Sequence, residues 1–186
     1  SDDEDGVDFP AMIAGAPATV SAVVTNTTGA TAYLNAWIDF NGNGVLTDPG
    51  EQIAVNGAIP AGTSNSPIGG SITIPTTVLT GVDLGARVML TQSPSPAMSG
   101  DVGTGEIEDY VVNITAPTTD FGDFSSFADA SQGVSPSLRM GASVDAEYAS
   151  TRDSTATGDD NNGSDDEDGV TLPSMIAGQT LTIPVV

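Results

Sequence analysis

The stretch AYLNAWIDF, residues 32–40, alternates. Leu34, Ala36, Ile38 and Phe40 fall on one face of an extended chain, and Tyr33, Asn35, Trp37 and Asp39 fall on the other. This period of two predicts a β-strand. ATVSAVVTN, SITIP, ARVMLTQ and IEDYVVNIT are further strand candidates, rich in Val, Ile and Thr and set between Gly, Pro and Asn. No stretch sustains an apolar period of 3.6 residues. The expected fold class is therefore all-β, an antiparallel β-sandwich of short strands joined by turns. From about residue 116 the apolar strands thin out and Asp, Ser and Gly rise. Residues 116–163 read as an acidic, loop-rich connecting module with two or three short strands, or as a floppy linker. Phe121, Phe124 and Phe127, with the apolar residues of LRMGASVDAEY, are its candidates for a small core.

The pattern also repeats. SDDEDGV opens the chain at Ser1 and returns at Ser164. Aligning 1–23 with 164–186 gives 14 identities in 23 positions at an offset of 163, with DDEDGVDFPAMIAG set against DDEDGVTLPSMIAG. The expected organisation is a β-sandwich over 1–115, a connecting module over 116–163, and the first strand of a next repeat over 164–186. A single domain with two similar Asp-rich loops is the alternative. The start inside a motif and the end at LTIPVV read as a tandem-repeat fragment of a longer polypeptide. The second copy would then be either a strand donated to a neighbouring unit or the next domain's own strand.

Charge narrows the partners. The 186 residues carry a net charge of −22, with no Lys, His or Cys and only Arg87, Arg139 and Arg152 as cations. Nucleic acid is not an expected partner, because phosphate binding needs basic side chains. An anionic membrane surface would repel the chain. Without Cys there are no disulfides, and without Cys and His the ligands suited to zinc, copper or iron are missing. What remains is all-oxygen coordination of a hard cation.

The residues for such coordination stand in DFNGNGVLTDPGE, 39–51. Asp39, Asn41 and Asn43 take the first, third and fifth places of a calcium loop, and Gly44 the sixth, where the turn is sharp. Val45 would offer its carbonyl at the seventh place and Thr47 stands ninth. The twelfth place is Gly50, so the carboxylate of Glu51 comes one residue late, and Asp48 is a substitute ligand. The bland alternative is an Asn-Gly hairpin turn. With few anionic ligands, the expected affinity for Ca2+ is about 10⁻⁴–10⁻³ M.

Two more acidic clusters stand out. In GEIEDY, Glu106 and Glu108 share a strand face and Asp109 points the other way. Paired carboxylates suit a glycosidase, but the chain has one Trp and three Tyr to line a sugar cleft. Metal support or a solvated strand start fits better, and no enzyme activity is expected. In GDDNNGSDDEDG, Asp159, Asp160, Asp165, Asp166, Glu167 and Asp168 crowd together, with Asp145, Glu147, Asp120 and Asp123 upstream as further candidate ligands. Bare, such a run repels itself and is a solvated linker. Bridged by Ca2+, it would form a joint between repeats, and Asp2, Asp3, Glu4 and Asp5 repeat it at the start.

AWIDFNGNGVLTDPGE followed by GEIEDYVVNI resembles the GEVED domain of large bacterial surface and secreted proteins, over roughly residues 7–115. The motif stands here as Gly105-Glu106-Ile107-Glu108-Asp109. The remainder resembles the segment that precedes such domains in tandem repeats, although Gly122-Asp123-Phe124-Ser125 and Leu138-Arg139-Met140-Gly141 depart from the GDAP and His-containing forms of that segment. The resemblance implies a β-sandwich, an extracellular or cell-surface location, and a non-catalytic structural role in an adhesin, stalk or filament, with neighbouring repeats as partners. A calcium-dependent carbohydrate-binding module is the competing expectation, with surface glycans as partners. Tyr33 and Trp37 would form its aromatic platform unless they belong to the core.

Overall fold

The computed structural model describes residues 5–94, 96–158 and 169–185. It divides into two compact units, Ser1–Thr115 and Ala116–Val186. The described residues form strands, turns and bends and contain no helix, so no helix is long and apolar enough to cross a membrane.

The first unit holds eight strands: β1 (Val7–Asp8), β2 (Met12–Ile13), β3 (Pro17–Asn26), β4 (Ala32–Ile38), β5 (Gln52–Ile59), β6 (Thr63–Thr73), β7 (Asp83–Thr91) and β8 (Gly105–Thr115). They form a three-stranded sheet in the order β1-β3-β6 and a five-stranded sheet in the order β2-β8-β7-β4-β5. Every ladder of this unit is antiparallel except β2 with β8, which is parallel. The expectation of a purely antiparallel fold is corrected at that edge. The chain leaves β1 in one sheet and reaches β2 in the other, so β2 arrives along β8 in the same direction.

Side chains from both sheets share the core. Ala18 of β3 lies in one hydrophobic cluster with Ile38 of β4, Leu84 and Ala86 of β7, and Val112 and Ile114 of β8. Ala22 and Val24 join Ala32 and Ile59 in a second. The period of two in β8 is plain: Glu108, Val112 and Ile114 are buried, while Ile107, Asp109, Val111 and Asn113 are exposed.

β4 departs from simple alternation. Trp37 is 5% exposed and Asn35 is fully buried, although both lie on the face away from Ile38. Loops cover that face, with Leu46, Pro49, Pro96 and Met98 gathered around Trp37. Asn35 is satisfied there: its Oδ1 accepts from the Asn56 N–H at 2.9 Å and from Gln52 Nε2 at 3.2 Å. Asn56 has φ +49 at the point where the β4–β5 register slips, so the buried amide holds a bulge.

β6 is longer than the SITIP pattern predicts. Its first half, TSNSPIGG, has weak strand character but pairs with β3 from Asn26–Thr63 onward. Pro67 and two consecutive glycines are tolerated because β6 is an edge strand.

The second unit contains β9 (Thr119–Phe121) and β10 (Ser131–Gly133), an antiparallel pair. None of its described apolar side chains is buried as a core residue. Phe124 and Phe127 meet edge to face at 5.0 Å between centroids, but Phe127 is 72% exposed. The expected aromatic core is thus reduced to one ring pair, because the apolar residues of this stretch follow no period that gathers them on one face. Polar groups tie the unit instead. Asp123 is buried and accepts from the Gly158 N–H at 3.0 Å, and Glu147 accepts from the Phe121 N–H at 3.0 Å. Arg152 pairs with Asp129 at 3.0 Å. In residues 169–185, where a strand is expected, there is a single antiparallel bridge between Val170 and Val185.

Candidate metal centre

The loop 39–51 joins β4 to β5, as a hairpin connection should. Ile38 donates its N–H to the Glu51 carbonyl at 3.0 Å, and this bond closes the loop's base. Inside, the backbone winds around the Asp39 carboxylate, which accepts from the Asn43 N–H at 3.1 Å and the Gly44 N–H at 2.8 Å. Gly44 has φ +79, a conformation that a Cβ would strain. Asn41 and Asn43 repeat the pattern locally: Asn41 Oδ1 accepts from the Asn43 N–H, and Asn43 Oδ1 from the Val45 N–H. Both asparagines also donate from Nδ2 to one oxygen of Asp48, at 2.9 and 2.8 Å. These two bonds lower the Asp48 pKa.

Glu51 is the anomaly. It is 2% exposed, and neither carboxylate oxygen has a hydrogen-bond partner of normal geometry. Burial raises its pKa above the usual 4.5; the Asn41 backbone amide opposes the rise, the charges of Asp39 and Asp48 add to it, and the Asp48 amide opposes it least. A buried carboxylate with unsatisfied oxygens is costly. Asp39, itself 7% exposed, and Asp48 are near enough to act on it electrostatically. The chemistry that relieves such a group is a hard cation with oxygen ligands. For a cation here, Asp39, Asp48 and Glu51 would supply the charge, and the Asn41 and Asn43 side chains and loop carbonyls such as that of Val45 would be the neutral oxygens. Thr47 and Val45 are exposed at the tip. Among the described residues no three His, Cys, Asp or Glu side chains are grouped so as to hold a metal ion, and Asp39, Asp48 and Glu51 are no exception.

The other predicted acidic residues lie elsewhere. Glu106 is exposed. Glu108 is buried and receives the Gly6 N–H at 3.2 Å and the Tyr110 hydroxyl at 2.8 Å. The same hydroxyl accepts from the Val7 N–H at 3.0 Å. Burial, then the bond to Glu108, pushes the Tyr110 pKa up to about 12. The motif that reads as a carboxylate pair is thus a clamp for the backbone of Gly6-Val7. Sequence reasoning missed this role of Tyr110; the one available signal was the Gly-Val that ends each copy of SDDEDGV. Asp109 is held by Arg87, whose Nε lies 2.6 Å away, and the guanidinium lowers the carboxyl pKa.

Asp5 is exposed at the start of the described chain. Asp120 meets Gln132 at 3.4 Å, and Asp123 and Glu147 hold backbone amides of the second unit. Asp145 is half-buried. Asp2, Asp3, Glu4, Asp159, Asp160, Asp165, Asp166, Glu167 and Asp168 lie outside the described residues.

Against known families, the GEVED domain matches residues 33–113. That span runs from β4 through β8 and contains both the loop 39–51 and the Glu108–Tyr110 clamp. Neither a curated protein nor a solved structure matches the chain.

Proposed function

With a GEVED domain over residues 33–113 as its premise, we propose that this chain is a non-catalytic structural repeat of an extracellular bacterial adhesin, stalk or filament, and that the loop 39–51 binds one Ca2+ ion that stiffens it. The observation that carries the cation is Glu51, a carboxylate 2% exposed whose oxygens make no hydrogen bond of normal geometry, in the field of Asp39 and Asp48. The nearly repeated sequence at 1–23 and 164–186 supports the role as a repeat. Neighbouring repeats are the proposed partners, and the cell surface is the proposed location.

Two further observations support the absence of catalysis. Glu108 is engaged by Gly6 and Tyr110, and Asp109 by Arg87. Glu106 and Glu108 line one depression, but Glu108 is committed to the Gly6 amide and the Tyr110 hydroxyl and is not a free second acid of the kind glycoside hydrolysis needs. The carbohydrate-binding alternative draws less support, since Trp37, the main candidate platform, is 5% exposed and a sugar-stacking ring must be accessible.

Calcium titration followed by calorimetry and thermal melting tests the reading. At a Ca2+ concentration one hundred times Kd, the stability gain is expected to be about 2.7 kcal/mol. Glu51→Gln should abolish most of that gain. Equal melting in calcium and in chelator would remove the cation from the proposal.

A further inference from the structure

The seat that holds residues 9–15 is defined contact by contact. Met12 and Ile13 run along β8 opposite Ile114 and Thr115, and Met12 is 3% exposed. The Ala14 N–H donates to the Thr115 carbonyl at 3.0 Å and the Gly15 N–H to the Ile74 carbonyl at 3.1 Å. The Phe9 and Tyr110 rings lie 5.4 Å apart.

The chain carries a second sequence suited to these contacts. Pro173, Met175, Ile176, Ala177 and Gly178 repeat Pro10, Met12, Ile13, Ala14 and Gly15, with Leu172 in place of Phe9. The second copy already holds the same turn. Gly178 has φ +83 and the Gln179 N–H donates to the Ile176 carbonyl at 3.1 Å; Gly15 has φ +79 and the Ala16 N–H donates to the Ile13 carbonyl at 3.0 Å. Its apolar side chains are nonetheless in water: Leu172 is 62% exposed, Met175 67% and Ile176 64%. Among the described residues there are two such segments and one seat.

We infer that residues 172–178 are a ligand for this seat and that they fill it in a second copy of this chain, displacing that copy's own residues 9–15. Exchange replaces the Met-Ile-Ala-Gly contacts with their like and the Phe9–Tyr110 ring contact with one from Leu172, so the balance is set by that change, by association and by the high effective concentration of the resident segment. The exchange stops at Gly178. Beyond it, Ala18 and Ala22, each 7% exposed, are matched by Leu181 and Val185, which would overpack the core that β3 fills. The giving segment and the receiving seat are different surfaces, so the contact is head-to-tail and extends rather than closes. The inference takes the structural-repeat reading as its setting, but no cation takes part in it, and its test reads chain pairing alone.

That test exploits the absence of Cys from the chain. Ile13 stands opposite Thr115, so a seated Ile176 would stand there too. Ile176→Cys in one full chain and Thr115→Cys in another, mixed under mild oxidation, should give a mixed disulfide dimer severalfold in excess over either homodimer. Met175→Asp in the donor chain should abolish it. Met12→Ser in the acceptor, which loosens the resident segment, should increase it. A mixed dimer no more abundant than the homodimers, or one that survives Met175→Asp, overturns the inference. The outcome is expected to be the same in calcium and in chelator, so a failed cation site and a failed exchange are told apart.

Discussion

Residues 7–22 and 170–185 share seven of sixteen residues, among them the run Met-Ile-Ala-Gly, and differ in structure. In the first copy, β1 pairs with β3, β2 with β8 and β3 with β6, and Met12 is 3% exposed. In the second, Met175 is 67% exposed and the one β contact is the Val170–Val185 bridge. What the two share is the turn at Gly15 and Gly178, with the same sign of φ and the same hydrogen bond, and the short-range antiparallel pairing of Val7 with Ala22, matched by that of Val170 with Val185. A turn depends on three or four neighbouring residues and survives a change of surroundings. A strand depends on a partner: β8 lies about one hundred positions from the first copy, and no equivalent edge meets the second among the described residues. Local physics is repeated, whereas long-range pairing is not.

The most forceful way to break this comparison is to truncate both methionines. Met12→Ala should cost about 2–5 kcal/mol through lost burial and a cavity, whereas Met175→Ala, measured at a dilution where the chain is monomeric, should stay within about 0.5 kcal/mol as a surface change. Urea denaturation of the two variants decides it; equal losses would mean that the second copy is buried in solution.

Glu51 sharpens the same point, since its energetics come from placement and not from the local sequence. Its pKa is raised in the fold. The native state therefore holds this proton more tightly than the unfolded chain. The resulting stabilisation is fully present below the ordinary value of 4.5 and is lost as pH rises through the raised value. In chelator, Glu51→Gln should recover about 1 kcal/mol at neutral pH, where the buried charge is otherwise uncompensated, and nothing at low pH. With calcium the sign should reverse. A flat difference between the two proteins across pH would refute the buried-charge account.

The shared turn offers a finer contrast. Gly15→Ala and Gly178→Ala each place a Cβ in the left-handed region, at about 1–2 kcal/mol of local strain. Only the first should lower the stability of the fold, because only the first turn is locked to β8 and to Ile74. Hydrogen exchange at the Gln179 amide should register the second. The smallest expected effect is at Asp109, paired with Arg87 at the surface. Asp109→Asn should cost about 0.2–1 kcal/mol at pH 7. Since the Asp109 pKa is lowered, that loss should fade as pH falls below the ordinary carboxylate range. A loss independent of pH would assign it to packing.

Legibility in the sequence follows the same division. β4, β7 and β8 were legible because Val, Ile and Leu alternate along them. The first half of β6 was not, because Ser64, Asn65, Pro67 and Gly69 form a strand only where β3 supplies a partner. The loop 39–51 was legible from Asp39 to Gly44, since those residues fix their own turn. Glu51 looked misplaced by one residue, and its burial came from the hairpin base and not from loop spacing. The role of Glu108 was hidden, because the Gly6 amide it holds stands 102 positions away. The second unit misled differently: its phenylalanines suggested a core, but buried polar groups such as Asp123 do the tying.

Trp37 is the chain's single tryptophan. It lies under the second half of the β4–β5 loop, in a depression whose walls include Leu46, Asp48 and Pro49. The indole therefore sits against the one segment proposed to bind and be stiffened by an ion, with no other tryptophan to obscure it. The protein carries its own optical reporter: its ultraviolet emission reads the state of the loop without any label.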